Sequence, residues 1–221
     1  MHTYLVTGAN RGIGLEYCRQ LKARGENVIA TCRSKSDELS DLGIRIDSGI
    51  DLNSINSIRK LRSNLTGIKI DVLINNAGIM INDEFENIKQ DTILQQFSTN
   101  AISPLILTLN LIENLSKGSK IILMTSRMGS IKDNESGGYY GYRMSKSALC
   151  MAGKSLSVDL KPLGIAVALL HPGLVSTRMT NYTSHGISSN ESVIRLLKII
   201  DNLTISETGI FRHANGEELP W

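Results

Sequence analysis

The sequence predicts an α/β protein: a single domain with a doubly wound parallel sheet between two layers of helices. Three observations point there. Short apolar runs alternate with segments of helical periodicity along all 221 residues, and sequential parallel strands need crossovers that helices supply. Two of the runs, Ile121-Ile122-Leu123-Met124 and Ala166-Val167-Ala168-Leu169-Leu170, are apolar at every position, as strands covered on both faces are. A glycine-rich turn, Thr7-Gly8-Ala9-Asn10-Arg11-Gly12-Ile13-Gly14, directly follows the first run.

Tyr4-Leu5-Val6 reads as the first strand. From Gly14 to Arg24, Leu15, Cys18 and Leu21 recur at helical spacing and Gly25 ends the pattern. Asn27 to Thr31 is the second strand and Ile44 to Ile46 a weak third. Asn53 to Leu65 is helical, capped by Asn53 or Ser54, and Asp71 to Ile74 is the fourth strand. Thr92 to Leu115 is apolar all round, so the spacing predicts one long buried helix, bent or divided at Pro104. Lys120 to Met124 follows as a strand, Tyr142 to Leu160 as a second long helix and Gly164 to Leu170 as a sixth strand. Glu191 to Asp201 is a helix, and Gly209 to Phe211 a last short strand. No repeat, low-complexity stretch or linker divides residues 1–221.

Composition narrows the function. Hydrophobic content of 41% and charged content of 20% suit an ordinary globular chain. A net charge of +3, dispersed along the chain, gives no nucleic-acid footprint. Three well-separated cysteines and four scattered histidines suggest neither a disulfide framework nor a metal site. No signal peptide precedes the first strand and no apolar run reaches membrane-spanning length, so the expected location is the cytoplasm, away from membranes.

The glycine turn joins a strand to a helix, where unpaired amides and the helix dipole favour a phosphate. Gly8 permits the tight turn, Gly12 lets backbone approach a pyrophosphate, and Gly14 lets the helix pack on the strand. A dinucleotide would sit here, with Asn10 and Ile13 in the same turn. An acid ending the second strand would select NAD through the ribose 2′-hydroxyl. That place holds Cys32 and then Arg33, and no carboxylate follows until Asp37. Arg11 and Arg33 would clamp a 2′-phosphate and select NADP(H).

Tyr142 and Lys146 stand four residues apart on a helix and share a face. A phenol titrates near 10. A close ammonium favours the phenolate, and lowering the value by about 3 units takes roughly 4 kcal/mol. Tyr142 would exchange a proton with a carbonyl oxygen as hydride moves to or from carbon. Tyr139 and Tyr140 lack this relation to Lys146 and read as packing or substrate-pocket residues preceding the helix.

The glycine turn, Asn75-Asn76-Ala77-Gly78, Thr125-Ser126 and Tyr142-Arg143-Met144-Ser145-Lys146, in this order, resemble the short-chain dehydrogenase/reductase family in its compact single-domain branch. The resemblance runs from Thr7 to at least Thr177. Arg-Met-Ser-Lys and the final Gly-Glu-Glu-Leu-Pro-Trp are similar to C-factor and sniffer-type carbonyl reductases. It implies a Rossmann-type fold with Tyr142 as general acid/base and Lys146 as its electrostatic partner and ribose ligand. Ser126 would polarise the carbonyl, and Asn100 would anchor a relay water. Asn76, Ala77 and Gly78 would line the adenosine side, and Asp51, with Leu52, the adenine. Pro172, Gly173, Val175 and Thr177 would meet the nicotinamide end. It also implies a small carbonyl or alcohol substrate, and a homodimer through the two long helices, where Met151, Leu156 and Leu160 read as core before interface. Two departures stand out. The interval from Ser126 to Tyr142 is longer than usual, and residues 178–189 must serve as the whole substrate lid. The reading is an NADPH-dependent carbonyl reductase; the alternative is a non-catalytic NADP(H)-binding sensor of the C-factor type.

Overall fold

A computed structural model describes residues 1–221. Seven strands form one parallel sheet: β1 (Thr3–Thr7), β2 (Asn27–Cys32), β3 (Arg45–Ser48), β4 (Val72–Asn75), β5 (Lys120–Met124), β6 (Ala166–His171) and β7 (Ile210–His213). Their order is β3-β2-β1-β4-β5-β6-β7. The helices between them are α1 (Gly12–Ala23), α2 (Asp37–Ser40), α3 (Ile55–Asn64), α4 (Gln90–Phe97), α5 (Ser103–Asn110), α6 (Tyr140–Leu160) and α7 (Ser189–Asn202).

Alternate residues of each strand point to opposite faces, and the core follows that rule. Tyr4 and Val6 of β1 join Leu15, Leu21, Leu196 and Ile200 under α1 and α7. Leu5, between them, joins Leu61, Leu107, Leu149 and Leu156 under α3, α5 and α6. Both faces are therefore dry, which is why β5 and β6 carry no alternation. Ser54, not Asn53, caps α3, accepting from Ser57 N at 3.3 Å.

The boundary expected at Pro104 is present: a π turn, Ser98–Ile102, separates α4 from α5, and Pro104 lies in the first turn of α5. Proline lacks the N–H that a continuing helix would use, so the ladder is reset just ahead of it. The segment is not buried all round, because Leu94, Ile102 and Leu109 are exposed. Tyr140 does not precede α6 but opens it, after Tyr139 at φ 50°. Met151 is not core: it is 69% exposed, whereas Leu156 and Leu160 are buried. The sequence reading also missed α2, a single turn capped by Ser36.

The order reverses at β1. From β1 the chain builds outward to β2 and β3, then returns to lay β4 on the other side. Loops at the carboxyl ends of β1 and β4 part there, leaving the crevice in which open α/β sheets bind ligands.

Candidate active site and dinucleotide cradle

The glycine turn lies at that crevice, and each glycine has a distinct cause. Gly8 has φ +63° and Gly12 φ +54°, the left-handed region that glycine enters freely. A Cβ at Gly14 would stand 2.3 Å from Gly8 O and 2.6 Å from Asn76 Nδ2, so only glycine lets α1 start so close to β1. The first turn of α1 has no side-chain cap and no acidic residue. Its amides are left free for an anion, so the turn fits a pyrophosphate.

The second lip of the crevice is locked to the first. Thr7 Oγ1 accepts from Asn76 N at 2.9 Å and Ala77 N at 3.0 Å, and Asn76 Nδ2 donates to Thr7 O at 2.9 Å. Across the crevice Thr177 meets the turn, 3.6 Å from where a Cβ on Gly12 would be. Val175 is buried, Gly173 turns at φ +86° and Pro172 O accepts from Ser192 Oγ at 2.8 Å.

Arg11 and Arg33 are exposed at the ends of the neighbouring strands β1 and β2, and neither forms an ion pair. Ser36 Oγ donates to Asn10 O at 2.9 Å, tying the two loops together. Asp47, the acid nearest in register, pairs with Thr31 but is engaged by Arg45 at 3.0 Å and Asn64 at 2.8 Å. Asp51 follows Ile50, whose amide bonds Cys32 O, and its Oδ1 accepts from Asn53 N at 3.0 Å. Leu52 and Ile13 are half-buried against the core.

The reacting centre lies between β5 and α6. Lys146 is buried, and its Nζ donates to Met124 O at 2.9 Å and stands 5.7 Å from the centroid of the Tyr142 ring. Ser126 ends the β5 loop; its Oγ accepts from Met128 N at 3.2 Å. Gly78 closes the group: a Cβ there would be 3.2 Å from Asn100 Oδ1 and 3.6 Å from Lys146 Nζ. Asn100, in the π turn, accepts from Ile79 N and donates to Ile79 O, each at 2.8 Å, and donates to Ser145 Oγ at 3.0 Å. The four residues named from sequence are thus brought together.

Their protonation differs from the expectation. Burial pushes the Tyr142 phenol up to about 12, and the facing Ser126 hydroxyl only partly opposes it. Burial also pulls Lys146 down to about 8. The ammonium lies over the ring and bonds a carbonyl, so desolvation of the phenolate outweighs its attraction. The phenol is held in its donating form.

Two contributors escaped sequence reading. Asp83, buried in the loop after β4, accepts from Gly141 N at 2.8 Å and its carbonyl from Tyr139 N at 2.9 Å. It places a carboxylate at the start of α6, in the same first turn as Tyr142. Nothing local marks it, because its partner is 58 residues away. His171 ends β6 with its ring 4.8 Å from that of His213; burial, then His213, Arg127 and Lys146, push it down to about 3, so it stays neutral. A cavity of about 450 Å³ is lined by Phe97, Met128, Ile131, Tyr140 and Met144 among others, and neither Tyr142 nor Lys146 lines it.

Residues 2–187 match the family model described as short chain dehydrogenase. The chain belongs to the short-chain dehydrogenase family. Among its relatives is the 1-hydroxy-2-glutathionyl-2-methyl-3-butene dehydrogenase of Rhodococcus sp., 39% identical over the full length of both chains. C-signal of Myxococcus xanthus is 38% identical over 74% of this chain and all of its own. Two solved members of the family superpose over the whole chain. The carbonyl reductase Sniffer of D. melanogaster has a TM-score of 0.92 at 32% identity, covering 100% of both chains. The NADPH-bound carbonyl reductase from chicken fatty liver has 0.90 at 31%, covering 99% of its own chain.

Proposed function

We propose that this short-chain dehydrogenase/reductase is an NADPH-dependent carbonyl reductase, converting an aldehyde, ketone or quinone to an alcohol. One observation carries the reading: Asn100, Ser126, Tyr142 and Lys146 converge beside a capless, glycine-lined helix start flanked by two unpaired arginines. The solved relative with NADPH bound supports the cofactor. Bound NADPH supplies a hydride at its nicotinamide ring. The residues of the chain do the rest. The amides at the start of α1 hold the pyrophosphate, and Arg11 and Arg33 grip the 2′-phosphate. Asp51 and Leu52 border the adenine, with Asn76, Ala77 and Gly78 beside the adenosine. Pro172, Gly173, Val175 and Thr177 flank the nicotinamide end. Ser126 donates a hydrogen bond to the substrate carbonyl, and Tyr142, kept protonated by burial, gives its proton to that oxygen. Lys146 holds the ribose and steadies the charge left on Tyr142, while Asn100 keeps the proton path in place. Residues 178–189, pinned by Ser176 N to Ile187 O at 2.9 Å and Ile187 N to Leu174 O at 2.9 Å, serve as a short lid.

The non-catalytic reading is not favoured, because a binding module has no use for a buried lysine beside a buried tyrosine and serine.

Cofactor choice tests the proposal. NADPH consumption is followed against a panel of aldehydes, ketones, diketones and quinones, with NADH in parallel. Each charged hydrogen bond to the 2′-phosphate is worth about 1.5–3 kcal/mol. The pair Arg11→Ala and Arg33→Ala therefore weakens NADPH by roughly a hundredfold or more and leaves NADH unchanged. A wild-type protein that prefers NADH contradicts the assignment of both arginines.

A further inference from the structure

Two segments have no task in the chemistry above: the polar stretch between Ser126 and Tyr142, and the tail from Gly216 to Trp221. The structure joins them. After β7 the chain reverses at Gly216, φ +97°, and returns antiparallel to β7. His213 N donates to Glu217 O and Leu219 N to Phe211 O, each at 2.8 Å. Leu219 is buried with Phe211, Cys150 and Leu169. The Trp221 ring lies on Phe211 with centroids 5.4 Å apart, and Lys154 Nζ stands 6.0 Å above it. The tail is therefore anchored on the core.

From that anchor it grips the segment after Ser126 at three points. Glu217 Oε1 accepts from Arg127 Nη2 at 2.9 Å. Trp221 O accepts from Lys132 N and from Ser130 Oγ, each at 3.1 Å. Asp133 locks the gripped residues together, pairing with Arg127 Nε at 2.8 Å and donating its amide to Ser130 Oγ at 3.1 Å. On the opposite side Gly129 lies against α6, where a Cβ would stand 2.9 Å from the Lys146 carbonyl carbon. The single turn Arg127–Gly129, which the Ser126 hydroxyl itself caps, is thus held between α6 and the tail. Residues 131–137 are all exposed and have no core of their own to fix them.

We propose that the tail Glu217–Trp221 is a positioning strap: it fixes the segment 127–133 and so sets where the Ser126 hydroxyl stands against Tyr142. The consequence for catalysis rests on the carbonyl reductase reading; the restraint on the segment does not. Arg127, Glu217 and Trp221 are positioning residues, acting through Ser126.

The test uses Glu217→Gln and Trp221→Ala, singly and combined, with Trp221→Phe as the conservative variant that keeps a ring on Phe211. Amide hydrogen exchange is read on the protein without cofactor, alongside NADPH affinity and kcat/KM for a carbonyl substrate. In the combined variant the Lys132 amide exchanges about tenfold faster, roughly the worth of one net hydrogen bond. kcat/KM falls about tenfold at unchanged NADPH affinity, and Trp221→Phe behaves as wild type. Unchanged Lys132 exchange overturns the strap. Faster exchange with unchanged kcat/KM overturns the positioning role and leaves the reductase standing. An equal loss of NADPH affinity also overturns it, because general loosening strikes both sites. A wild type inactive on every carbonyl overturns the reductase reading instead, and exchange at Lys132 still decides the strap.

Discussion

Lys146 carries a charge where water cannot reach it, and this fixes how the site responds to pH. Burial lowers its folded value to about 8, below the unfolded value of about 10.4. Between these two values the unfolded chain holds the extra proton, so the contribution of this group to stability rises with pH across that window. Below about pH 8 the cost of the buried charge is present in full. Two outcomes follow. kcat/KM falls as pH rises through about 8, when the ammonium that steadies Tyr142 is lost. The thermal advantage of Lys146→Met over wild type shrinks from about pH 7 to about pH 10. A rate profile flat to pH 10, or a constant gap in melting temperature, contradicts the account. The pairing of Tyr142 with Lys146 was legible because four residues make one helical turn. The protonation of the pair was not, because it depends on how deeply strands β5 and β6 bury that turn. Asp83 was illegible for a related reason: its carboxylate acts on an amide far along the chain.

At the scale of elements, the apolar runs of β5 and β6 and the glycine turn were legible because each follows a local rule: a strand dry on both faces, or a backbone angle that only glycine takes readily. The break between α4 and α5 was half legible. Pro104 announced a change, but the π turn that seats Asn100 depends on Ile79 and Ser145, which come from other elements. The outer surfaces of α4, α5 and α6 show a further pattern. Met144, Met151 and Val158 recur every seven residues on α6 and are 50%, 69% and 63% exposed. Leu94, Ile102 and Leu109 lie exposed along the neighbouring α4–α5 run. Apolar residues aligned in this way on packed helices suit a partner surface, and we propose a second copy of this chain as that partner. Light scattering is expected to give the dimer mass, and Met151→Glu with Val158→Glu the monomer mass of 24.2 kDa. A wild-type monomer at working concentration contradicts the homodimer.

The whole molecule places its chemistry by topology. Because the strand order reverses at β1, the glycine turn and the Asn76–Gly78 loop face one crevice. Because β5, β6 and α6 lie beside β4, Ser126, Tyr142 and Lys146 open onto the same edge. The family model and the superposition on carbonyl reductases concern the fold and the family; the proposed site rests on the convergence of the four polar groups. What the sequence left open, the tail and the stretch after Ser126, are held by contacts between residues 89 to 91 apart in the chain, which no local pattern marks. The central claim is that Tyr142 delivers the proton. Its most direct measurement is the single-turnover rate of NADPH oxidation by Tyr142→Phe beside wild type, on a carbonyl that wild type reduces, with NADPH affinity measured for both. The account predicts a rate lower by about a hundred- to ten-thousand-fold at unchanged affinity. Tyr142→Phe turning over as fast as wild type would contradict it.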